Sequence, residues 1–232
     1  HKVYLNDYKI DVYPITNRQY IEFIEDGGYT DFHYWLSDGW EKIESEEWNA
    51  PMYWEKVDGQ WMTCDFLGRR KINPNEPVCH VSFYEADAYC KWAGKRLPTE
   101  AEWEKAACWN EKSQSKSIFP WGNESPDTRH ANLLESYLWN CTEIGAYPEG
   151  KSHYGCHQMI GDVWEWTSSE FTGYPGFKTG FSEYNDKWFA NQKVLRGGSF
   201  GTPSSSIRSS YRNFFRLDER WLFSGFRCVE DI

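Results

Sequence analysis

The sequence predicts an α+β domain in which short helices and strands are joined by long irregular loops. Three observations carry that expectation. Two capped helix starts lie back to back within residues 80–107. Short alternating apolar stretches near both ends read as strands. Aromatic residues make up 19% of the 232-residue chain, with 14 Trp, so a large core is available despite turn-forming Gly, Pro, Asn and Asp throughout. No linker-like segment divides the chain, which reads as one domain over residues 1–232.

At the N-terminus, Val3, Leu5, Tyr8, Ile10 and Val12 alternate enough to predict a strand across residues 2–15, ended by Pro14. Thr16 or Asn17 can cap a helix with Tyr20, Phe23 and Ile24 on one face, stopped by Gly27-Gly28. Residues 29–61 carry aromatics with neither helical nor strand period and read as a long loop pinned by them. Within it, Asp58-Gly59 marks a hairpin turn.

The two capped helices follow. Ser82 precedes Glu85 by three residues and Thr99 precedes Glu102 by three. In each pair the hydroxyl accepts from the third backbone N–H and the carboxylate returns to the cap N–H. Ala86, Tyr89, Trp92 and Ala93 give the first helix an apolar stripe, and Gly94 is placed to end it. Trp103, Ala106 and Ala107 give the second its buried side. Residues 110–160 read as mostly loop. The alternating Trp164 and Trp166 suit a strand covered on both faces. VLRGGSF at 194–200 reads as a strand entering a glycine turn, and SGFRCV as the final strand.

Composition also excludes partners. A formal net charge of −10 argues against nucleic acid, which needs a basic face, and disfavours anionic membrane surfaces. No apolar run approaches the roughly 20 residues of a membrane span. Seven cysteines without a CxxC pair fit mostly buried thiols in a reducing cytoplasm better than a disulfide framework, although one disulfide stays open. His80, just before a helix start, reads as structural. His153 and His157 flank a turn, and no pair of histidines with a carboxylate has the pattern of a non-haem iron site.

HVSFYEADAYCKWAGKRLPTEAEWEKAA, GDVWEWTSS, VLRGGSF and GFRCV, in that order, resemble the motifs of the sulfatase-modifying-factor family. That resemblance implies the formylglycine-generating-enzyme fold with its C-type-lectin-like core. Formylglycine formation itself needs two cysteines just after RGGS. The segment FGTPSSSIRSSYRN has none, so copper-dependent oxidation of that kind is not expected. GGYTDFHYWLSDGW, PMYW and PVCHVS are more similar to the C-terminal domain of ergothioneine- and ovothiol-type sulfoxide synthases. Those non-haem iron enzymes use dioxygen to join a cysteine-type thiol to a histidine derivative.

This narrower resemblance implies a set of site residues. Tyr174, in the YPGF stretch of residues 167–193, matches a tyrosine that donates a proton. The run YRNFF matches a substrate-binding stretch and nominates Arg212, Asn213, Phe214 and Phe215. Aromatic faces suit a trimethylammonium group, and an arginine suits a substrate carboxylate. If YRNFF is a strand, one of its two phenylalanines must face the core. The arginines at 208, 212, 216, 220 and 227 otherwise have Asp218 and Glu219 as surface partners. Asn132, Asp162 and Glu165 offer oxygen ligands of the kind that suit calcium. The resemblance further implies Fe(II) held by an N-terminal DinB-like bundle, here expected from a missing domain or a separate subunit. The alternative is a non-catalytic ligand-binding protein on the same lectin-like scaffold. A DinB-like reading frame nearby would separate the two.

Overall fold

The computed structural model describes residues 1–181 and 186–232. Residues 182–185, which include the first three residues of EYNDKWFANQ, lie outside the described residues. The elements in order are β1 (Tyr8–Ile10), α1 (Asn17–Glu25), α2 (Ser37–Glu46), β2 (Trp54–Val57), β3 (Gln60–Asp65) and β4 (Gly68–Lys71). Next come α3 (Phe83–Trp92), α4 (Glu100–Cys108), β5 (Trp109–Asn110), β6 (Ser115–Lys116) and β7 (Trp164–Glu170). Last are β8 (Lys193–Arg196), β9 (Asn213–Phe215), β10 (Ser224–Gly225) and β11 (Val229–Asp231). The architecture is α+β, as expected, with a four-stranded sheet ordered β10-β7-β8-β9 at its centre. β10 runs parallel to β7, and the other pairings in that sheet are antiparallel.

Both anticipated capping boxes form. Ser82 Oγ accepts from Glu85 N at 3.1 Å, and Glu85 Oε2 accepts from Ser82 N at 2.7 Å. Thr99 and Glu102 repeat this at 3.2 and 2.7 Å. A third box, Thr16 with Gln19, starts α1. The main core lies between α1, α3 and the central sheet, where Tyr20 stacks on Tyr89 with centroids 5.7 Å apart. Trp166 of β7 is fully buried in the same core. Asp58 and Gly59 both take positive φ in the two-residue turn joining β2 to β3, the backbone such a hairpin requires.

The structure departs from expectation in three places. The strand expected over 2–15 contracts to Tyr8–Ile10 because its partner, β11, is three residues long, and Val3 and Val12 are exposed. The supposed loop at 29–61 contains α2. This helix fully buries only Gly39, lays Trp40 and Ile43 half-buried against the core, and has no side-chain cap at Leu36 to mark its start. SGFRCV divides between two sheets: β10 joins β7, and β11 crosses to β1.

Arginine–glutamate pairs fasten these elements internally. Arg227 is fully buried. It donates from Nε and Nη2 to the two oxygens of Glu165, both at 2.7 Å, while Trp103 Nε1 donates to Glu165 Oε2. Arg220 makes the same two-pronged contact with Glu85, at 3.0 and 2.8 Å. Asp218 instead pairs with Lys42, and Glu219 accepts from Trp221. Surface pairing of these two arginines with residues 218–219 is therefore corrected to buried pairing with distant glutamates. Neutralising and hydrogen-bonding both partners offsets the cost of burying the charges.

Candidate active site

The site begins at the first turn of α4. Its segment EAEWE carries three glutamates, each paired with an arginine from a different part of the chain: Glu100 with Arg212, Glu102 with Arg96, and Glu104 with Arg196. Glu100 sits where the helix dipole favours a negative charge, and its own N–H donates to Ser169 Oγ on β7 at 2.9 Å. Arg212, just before β9, donates from Nε to Glu100 Oε1 at 2.6 Å and from Nη2 to Oε2 at 3.0 Å. Its Nη1 reaches Thr172 O at 2.9 Å.

Tyr174 closes the cluster. Its hydroxyl donates to Glu100 Oε1 at 2.9 Å. The Arg212 guanidinium lies 4.3 Å from the Tyr174 ring and 4.9 Å from the Phe171 ring. Phe171 in turn stacks on Phe214, with centroids 3.9 Å apart and planes 13° from parallel. Phe189 and Trp188 extend this aromatic wall. Burial, then the Glu100 charge, pushes the Tyr174 phenol up to about 12, so it is a proton-bearing donor at neutral pH. Its side is open: Tyr174 is 43% exposed, whereas Glu100 is 7% exposed.

Five of the anticipated residues thus sort into two groups. Tyr174, Arg212 and Phe214 come together on one rim. Phe215 alternates to the other face of β9, packs against the main core and meets Trp221 edge-on at 5.5 Å. Asn213 shares Phe215's face by alternation, and its Oδ1 accepts from Phe214 N at 3.0 Å. Arg212 donates from Nε, Nη1 and Nη2 to Glu100 and Thr172 and so orders the rim.

The possible calcium ligands are placed differently. Asn132 Nδ2 donates to Asp162 Oδ1 at 2.8 Å, so these two do meet. Asp162 also accepts from Thr142 N, Thr142 Oγ1 and Gln158 Nε2. Burial holds its carboxyl above the usual range against those four donors. Glu165 is bound to Arg227. The carboxylate oxygens of Asp162 and Glu165 thus already accept from donors, whereas Asn132 Oδ1 is buried without a partner, and the cluster serves as a polar hub joining loops 131–142 and 157–163. Among the described residues, no group of three or more His, Cys, Asp or Glu could hold a metal ion. The donor set of these residues therefore does not fit iron.

Glu100 and Phe171 were not legible as site residues. Glu100 looks like part of a capped helix start, and its partners lie 74 and 112 residues away. The one available signal was the number of arginines in an acidic chain.

This rim on this fold defines the class. A family model described as sulfatase-modifying factor enzyme 1-like domain matches residues 1–232, and the chain belongs to that family. It is 41% identical over 234 residues to a hercynine oxygenase of Mycobacterium tuberculosis, covering 100% of this chain and 54% of that one. The chain thus spans about half the length of that relative. It is 32% identical to a formylglycine-generating enzyme of Thermomonospora curvata, covering 99% of this chain and 84% of that one. Among solved structures, variable protein 1 of Treponema denticola superposes with a TM-score of 0.64 at 18% identity, covering 96% of this chain and 84% of the other. That likeness concerns the fold alone. Among the described residues no helix is long and apolar enough to cross a membrane.

Proposed function

We propose that this domain is the substrate-facing wall of an iron- and oxygen-dependent sulfoxide synthase that joins a cysteine-type thiol to a trimethylated histidine. The observation that carries the reading is the open rim in which Tyr174 donates to Glu100 beside Arg212 and the Phe171–Phe214 stack. The hercynine oxygenase relative supports the histidine-derived substrate and oxygenation. Arg212 already lies over two of these rings, which supports the capacity of the wall to face a cation. The hydroxyl of the half-exposed Tyr174 is the proton donor, and Glu100 and Arg212 fix its ring. Iron, which would supply oxygen activation, is assigned to a DinB-like domain or subunit, and the single domain 1–232 to the cytoplasm.

The test combines the purified chain with its iron-binding DinB-like polypeptide, trimethylhistidine, cysteine or γ-glutamylcysteine, and dioxygen. The thiol-linked sulfoxide is followed by mass spectrometry. Tyr174→Phe is expected to slow product formation about 10²–10⁴-fold, the usual worth of a positioned acid. Unimpaired turnover by Tyr174→Phe, or no oxygenated histidine product from the wild-type pair, would remove the reading.

A further inference from the structure

A second chemically distinctive cluster lies away from the Tyr174 rim. Cys79 and Cys141 are 62 positions apart in sequence, and the fold packs them against each other beside Val163 and Phe200. Cys79 lies three residues before Ser82, the cap of α3, and is partly exposed, whereas Cys141 is buried. The polar hub described above fixes Cys141 from both sides. Asn140 O accepts from Asn132 Nδ2 at 2.8 Å, and Thr142 N donates to Asp162 Oδ1 at 2.8 Å.

His80 follows Cys79 with a left-handed backbone, φ 65°, an uncommon and strained conformation for a residue with a side chain. Tyr53 and Phe223 hold its ring edge-on at 4.8 and 5.6 Å. Its Nδ1 is buried and meets no hydrogen-bond partner. Cys79, His80 and Cys141 line one cavity of about 40 Å³, together with Asp65, Arg70 and Glu76. A single water needs about 10–15 Å³ on that measure, so a small oxidant has room beside the sulfur. Burial works to raise the Cys79 thiol, but the hydrogen bond from Cys141 and the neighbouring His80 bring it well below the ordinary range. Thiolate character and access are what select a cysteine for oxidation.

We propose that Cys79 is a peroxide-reactive nucleophile and that Cys141 is its resolving partner, the two closing reversibly to a disulfide. Cys79 Sγ attacks one peroxide oxygen and the O–O bond breaks. Hydroxide leaves and takes up a proton as water, giving a sulfenic acid at Cys79. Cys141 Sγ then attacks the Cys79 sulfur, the S–O bond breaks and a second water leaves. Two thiols are oxidised and one hydrogen peroxide is reduced to two waters.

The other thiol pair provides an internal control. Cys90 and Cys228 lie with sulfurs 3.1 Å apart, but both are fully buried, and burial pushes the Cys90 thiol up. The experiment treats the reduced full chain with equimolar hydrogen peroxide, blocks free thiols and maps peptides by mass spectrometry. A Cys79–Cys141 linkage is expected first, reversed by dithiothreitol. Cys141→Ser is expected to leave a dimedone-reactive sulfenic acid at Cys79. Because that variant alters a buried core residue, the wild-type chain carries a second readout. At pH 6, Cys79 is expected to react with a small thiol reagent about tenfold faster than the exposed Cys64. Oxidation of Cys64 or of Cys90–Cys228 ahead of Cys79, or equal reagent rates at Cys79 and Cys64, would overturn the proposal.

Discussion

Arg227–Glu165 and Arg212–Glu100 are the same chemical unit in two settings. In both, a guanidinium grips a carboxylate through two hydrogen bonds. Around Arg227–Glu165 the third side-chain partner is the fully buried Trp103, which donates to the carboxylate, and the backbone carbonyls of Asp11 and His157 take the remaining donors. Around Arg212–Glu100 the third partner is the hydroxyl of a half-exposed tyrosine, with aromatic rings on the solvent side. The difference teaches that the closed pair ties the segment between β10 and β11 to β7, whereas the open pair orients a half-exposed tyrosine at the surface.

The largest expected effect breaks the closed pair. Arg227→Met leaves Glu165 buried without its counter-charge and is expected to cost about 3–5 kcal/mol in urea unfolding. A loss under about 1 kcal/mol would erase the contrast drawn between the two settings. Tyr174→Phe at the open pair is expected to cost about 1 kcal/mol or less by the same measurement, since it removes one partly exposed hydrogen bond.

The smallest effect is a dependence on pH. The folded chain holds the Tyr174 proton up to about 12, while an unfolded tyrosine releases it near 10. Between those values the unfolded chain binds fewer protons, so the Tyr174 contribution to stability is present below about 10 and fades toward 12. Ultraviolet difference titration of wild type against Tyr174→Phe should show one phenolate appearing late in that window. A midpoint near 10 would mean that Glu100 and burial exert no hold on this phenol.

What was legible in the sequence follows from how local each interaction is. The capping boxes of α3 and α4 could be read because hydroxyl and carboxylate are three residues apart. The hairpin at Asp58-Gly59 could be read because the turn itself demands those residues. α2 could not, because no side-chain cap marks its start and its apolar face is reduced to Trp40 and Ile43 among the scattered aromatics of that stretch. The length of β1 could not, because alternation in 2–15 says nothing about a three-residue partner at the far end of the chain. At the site, family resemblance nominated Tyr174 and Phe214, which meet on the rim, but also Asn213 and Phe215, which strand alternation turns away. Glu100, which holds Tyr174 and Arg212 together, is a tertiary fact with no local signature.

The most direct measurement is calorimetric titration of the full chain with trimethylhistidine and, separately, with plain histidine. The account predicts tighter binding of the trimethylated compound, weakened about tenfold by Phe214→Ala through loss of an aromatic face for the cation. Equal affinity for the two compounds, or binding untouched by Phe214→Ala, would contradict the assignment of this rim as the substrate wall.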